Sequence, residues 1–205
     1  MSTSFRVVGQ ADLVAIMMLI GVAVVVGVGF LSLVYPSVSD LVQRNNLRSL
    51  LYNEQGLLVV YREFENETHT CLGFFRLEPG AVSYALALAA DSGVDVLSGV
   101  NASTVLTYPL VGVNATSTQI DPSRARVYCL FNGDYSPCIQ RFNRVSYVPA
   151  VVIENYVAKG VPALLCLNKT ALSELAGPGP STITLYFFMP VGKDYYEVGE
   201  VKLSV

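Results

Sequence analysis

Four cysteines, four N-x-S/T sequons and a single histidine are the residues whose types and spacing can carry chemistry in this 205-residue chain. Cys71, Cys129, Cys138 and Cys166 include no C-x-x-C pair, so they lack the spacing of a zinc site. In an oxidising compartment they would close two disulfides, for which three pairings exist. We favour Cys129–Cys138, a short loop through Asn132-Gly133, with Cys71–Cys166 closing a long one. Four buried free thiols are the alternative. The sequons begin at Asn66, Asn101, Asn114 and Asn168. Their number favours an exported, glycosylated segment. His69 lies in a polar turn beside the first sequon, where a solvated histidine is the commoner use. The chain has no G-x-S-x-G, H-E-x-x-H, Walker A or G-x-G-x-x-G pattern. Asp91, Asp95 and Asp121 do not follow calcium-loop spacing. No catalytic residue, metal ligand set or cofactor is therefore predicted. Tyr186, Tyr195 and Tyr196 could serve subunit contacts or surface adhesion, although strand residues of a sandwich are the commoner use.

Charge narrows the partners. The formal net charge is −3, the pI is about 5.1, and the 13 basic residues are scattered. Nucleic acid, which needs clustered Lys and Arg, is not an expected partner.

The elements that must carry these residues divide the chain in two. Leu13 to Tyr35 is an uncharged apolar run, and as a helix it spans roughly 35 Å, enough for a bilayer core of about 30 Å. It exceeds the apolar core of a secretory signal, and no small-x-small cleavage site follows it. All cysteines and sequons lie after it, which places the N-terminus inside and the rest outside. Gly21, Ala23, Gly27 and Gly29 are small residues that would let a neighbouring helix approach closely, or are simply tolerated in a membrane span. Pro36 should kink the helix or end its embedded part. Val38, Leu41, Val42, Leu47, Leu50 and Leu51 then recur at near-helical spacing, an amphipathic continuation expected to pack on the following domain and to stop near Gly56.

The residues before the run are a polar leader, MSTSFRVVG, followed by Gln10-Ala11-Asp12. This start resembles the class III signal of archaeal type IV pilin-like proteins, archaellins included. The resemblance covers about residues 1–55. It implies cleavage by a prepilin peptidase between Gly9 and Gln10, on the cytoplasmic side, leaving the apolar helix on the mature chain.

From Leu57 onward the pattern is strand-like. Residues 57–64 and 70–77 read as a hairpin, and Glu78-Pro79-Gly80 as a turn. Val82 to Leu88 alternate. Further strands are expected near 94–97, 104–111, 124–131, 144–153 and 162–167, with a short helix at 169–176. Ile183 to Met189 and Val201 to Val205 alternate about a turn at Gly192-Lys193-Asp194. The expected fold class is α+β: a long hydrophobic N-terminal helix, then a mainly antiparallel β-sandwich. The pilin resemblance implies an immunoglobulin-like form of it. The domains are leader 1–9, helix 10–55 and extracellular sandwich 56–205.

The expected function is a structural or minor subunit of an archaeal type IV pilus-like filament, serving adhesion or surface attachment. Its partners would be membrane lipid before assembly, copies of itself or other pilins, and the prepilin peptidase. It would sit in the cell membrane with the sandwich outside, then in a surface filament. A single-pass, membrane-anchored extracellular binding module that does not polymerise is the alternative from another class. An enzyme whose chemistry shows in no motif is a third.

Overall fold

The computed structural model describes residues 9–90, 115–121, 123–138, 148–157, 162–176 and 182–204. The strands expected near 94–97 and 104–111, and the sequon residues Asn101 and Asn114, lie outside them. The chain forms two compact units, Met1–Ser49 and Leu50–Val205.

The first unit is built on helix α1, Gly9–Leu57, which is helical through Pro36 and ends one residue past Gly56. Its last turns, from Leu50, belong to the second unit. Asp40 and Arg44 form an i,i+4 ion pair at 3.1 Å on its exposed surface.

The second unit is a mostly antiparallel β-sandwich of ten described strands in two sheets. The small sheet has the order β1-β2-β8, from Leu58–Glu65, His69–Arg76 and Ala163–Asn168. The large sheet has the order β4-β7-β3-β9-β10-β5-β6, from Ala115–Ile120, Val148–Val157, Ala81–Ala90, Thr182–Val191, Asp194–Ser204, Val127–Phe131 and Asp134–Pro137. Helix α2, Lys169–Ala176, follows β8.

Local sequence explains much of this. Asn132 and Gly133 take positive φ, 50° and 84°, between Phe131 and Asp134, which pair directly. That is the two-residue turn whose twist matches a hairpin. Asn168 caps α2: its Oδ1 accepts the N–H of Thr170 at 2.9 Å and of Ala171 at 3.2 Å. Tyr61 lies over Gly73, its cross-strand partner, where a Cβ would meet the phenol ring.

Aromatic rings join the two sheets. Phe74 of the small sheet meets Phe187 at 5.6 Å and Tyr156 at 5.2 Å, and Tyr84 meets Phe187 edge-on at 6.5 Å. Such pairs add about 1 kcal/mol each beyond their buried area. Residues Ile183 to Phe188 are all buried, so β9 is covered on both faces. Its alternation, Ile183-Leu185-Phe187, identifies the face toward the small sheet, while Tyr186 and Phe188 fill the other.

Candidate functional site

Two features can act on something outside the chain: the exposed apolar stretch of α1 and the sequon and cross-linked positions of the sandwich. Val14–Ser32 is long and apolar enough to cross a membrane, the one such helix among the described residues. Its side chains lie open, with Leu19 72% exposed. The backbone polar groups are held inside the helix, which is what a lipid surrounding requires. Ser32 adds its hydroxyl to the Gly29 carbonyl at 2.8 Å. A Cβ built on Gly21, Gly27 or Gly29 meets no neighbour, and Ala23 is exposed. Gly21 lies in a shallow hollow with Met18, Val22, Val25 and Val26, about 390 Å³ in volume. Gly9 and Gln10 are the first two residues of α1.

The end of α1 carries a buried charge network that sequence reasoning missed. Leu51 and Glu54 are buried, Glu54 only 3% exposed. Arg76 of β2 donates Nε to both Glu54 oxygens, at 2.9 and 3.0 Å. Tyr84 of β3 donates its hydroxyl to the same carboxylate. Burial holds the Tyr84 phenol far above the usual tyrosine range, and the Glu54 bond pushes it the same way. Three elements thus meet at one carboxylate. Nearby, Tyr52 donates its hydroxyl to the Gly133 carbonyl and packs on Tyr135, ring centres 6.3 Å apart.

The cysteines pair as Cys71–Cys166 and Cys129–Cys138, both as disulfides. Cys71 and Cys166 are direct cross-strand neighbours between β2 and β8. Cys129 and Cys138 flank the hairpin turn through Asn132-Gly133. Asn66 is exposed, and its Oδ1 accepts the N–H groups of Thr68 at 2.9 Å and His69 at 2.6 Å. Asn168 uses Oδ1 in the same way as a helix cap, which leaves the amide nitrogen as the modifiable atom in both. Lys169 sits beside Glu65 and, through its hydrogen bond, lowers the pKa of that carboxyl.

His69 is half-buried and shares a 2.8 Å hydrogen bond with the Thr68 hydroxyl. Among the described residues no three His, Cys, Asp or Glu side chains converge as a metal site. No protein-family model, curated protein or solved structure matches this chain. The geometry therefore carries the functional reading: an apolar span, Val14–Ser32, with open side chains, on a helix that continues into a disulfide-bonded sandwich. The disulfides fit an extracellular setting for that sandwich.

Proposed function

We propose that this chain is a structural or minor subunit of an archaeal type IV pilus-like surface filament, serving adhesion or surface attachment. The supporting observation is a single helix that exposes an uncharged apolar span, Val14–Ser32, and runs on to the Glu54 network. Before assembly, lipid covers the span. A prepilin peptidase hydrolyses the Gly9–Gln10 peptide bond, and Gln10 becomes the new N-terminus. Apolar side chains then exchange lipid for neighbouring helices. That exchange gains little from desolvation, so close packing at Gly21, Ala23, Gly27 and Gly29 drives it. The reading assigns no catalysis to the chain.

Val8 favours a second reading, because pilin-like leaders usually carry a basic residue at that place. The chain would then be an anchored extracellular binding module that never polymerises. The mature N-terminus separates the two. Intact mass of surface protein beginning at Gln10, together with filaments in sheared surface material, supports the subunit reading. Met1 retained on the mature surface protein overturns it. Gly9→Val should block maturation of a subunit and leave a simple anchor unchanged.

A further inference from the structure

Strand β10 pairs with β9 from Asp194↔Val191 to Ser204↔Thr182. On its other side β5 meets it only at Tyr195↔Val127 and Tyr196↔Tyr128, and among the described residues no other strand pairs with it there, β1 touching β10 through Leu58 at Gly199. Where that pairing stops, the Glu197 carboxylate accepts the Leu130 N–H at 3.0 Å, and the Glu197 carbonyl accepts the Tyr135 hydroxyl at 2.8 Å. Beyond it β5 and β10 diverge around a groove of about 380 Å³ bordered by Gln55, Leu130, Phe131 and Gly199.

A bulge between Glu197 and Gly199 resets the ladder. The Glu197 carbonyl faces the β5 side, so one extra residue turns the backbone groups of Glu200, Lys202 and Ser204 away from β9. The side chains of these three residues are exposed and share one face. An unpaired edge of this kind is a template for strand addition.

Charge selects the partner. We infer that this edge takes the same edge of a second copy of the chain, antiparallel about a two-fold axis at Val201. In that register each Glu200 stands opposite the other copy's Lys202. These are the hydrogen-bonded pairs, each exchanging both backbone N–H···O bonds. The two Val201 residues meet as a non-hydrogen-bonded pair with Cα atoms about 4.5 Å apart. The neighbouring hydrogen-bonded registers set Glu200 against Glu200, or Lys202 against Lys202, and like charges directly opposite destabilise. The contact is isologous and closes on itself. It requires no leader cleavage and no filament, so it stands apart from the function proposed above.

The test uses the full chain in detergent micelles, with oligomeric state followed by sedimentation. The wild-type chain should be a dimer. E200K and K202E should each weaken it about tenfold or more, because two-fold symmetry doubles every like-charge pair. Mixing the two variants should regain the dimer, since the lysines of one face the glutamates of the other. The double variant E200K/K202E should regain it alone. All four native cysteines are in disulfides, so Val201→Cys supplies the one free thiol and should give a reductant-sensitive covalent dimer under mild oxidation. A monomeric wild-type chain, a dimer unmoved by both reversals, or a Val201→Cys chain that does not cross-link overturns the inference.

Discussion

Glu54 has its buried charge met by Arg76 and Tyr84, so removing one partner strands what is left. Arg76→Met leaves a buried carboxylate without its counter-charge and should cost about 3–5 kcal/mol in chemical denaturation. Tyr84→Phe removes one donor to a charged acceptor and should cost about 2 kcal/mol. The reverse order would refute this account of the network. The same region sets an alkaline limit. Burial, with the nearby Glu197 charge, pushes the Tyr135 phenol up to about 12, and burial raises Tyr84 further. A raised phenol contributes stability that is complete below the unfolded pKa near 10 and is lost as pH rises toward the folded value. Stability should therefore fall between about pH 10 and pH 12, and Tyr135→Phe should remove its share of that slope in denaturation midpoints measured across pH. None of this was legible in the chain: Glu54, Arg76 and Tyr84 are far apart in sequence and carry no motif. Asn168 was legible as a sequon but not as a helix cap. Asn168→Asp should abolish modification there while keeping α2, whereas Asn168→Ala should also cost about 1 kcal/mol.

Strands announce themselves when one face is apolar and the ends are marked by turns. The β1–β2 hairpin, β3, β8 and β9 all do so, and their positions, like that of helix α2, were readable to within a few residues, while β10 starts at Asp194, seven residues before the expected Val201. β4, ATSTQI, and β6, DYSP, were not readable. They are the two edges of the large sheet, where polar residues and proline are tolerated and guard against stray pairing. The disulfide elements differ in loop length. Cys71–Cys166 spans 95 positions and Cys129–Cys138 spans 9. By loop-closure entropy the first should contribute about 4.7 kcal/mol and the second about 2.7 kcal/mol. Paired Cys→Ala variants compared by denaturation should show the larger loss for Cys71/Cys166, and equal losses would argue against the entropic account.

For the whole molecule, the defining feature is Val14–Ser32, long and apolar enough to cross a membrane. A charge at the middle of a membrane helix costs about 2.5–3.5 kcal/mol. The double change Val22→Lys with Val26→Lys should move the chain out of the alkali-resistant membrane fraction, while the same changes at exposed Glu200 and Ser204 should not. The apolar span was plain in the sequence because composition alone defines it. What covers the span was not, since lipid and a neighbouring helix ask for the same side chains.

The Cys71–Cys166 bond has a topological consequence. It closes the backbone into a covalent ring holding β3 to β7, and the Cys129–Cys138 ring sits inside it. A single protease cut anywhere between those outer cysteines opens the ring but releases no fragment. A chain nicked there keeps its full mass on a non-reducing gel, stays attached to its N-terminal helix, and separates into two pieces only when thiol is added.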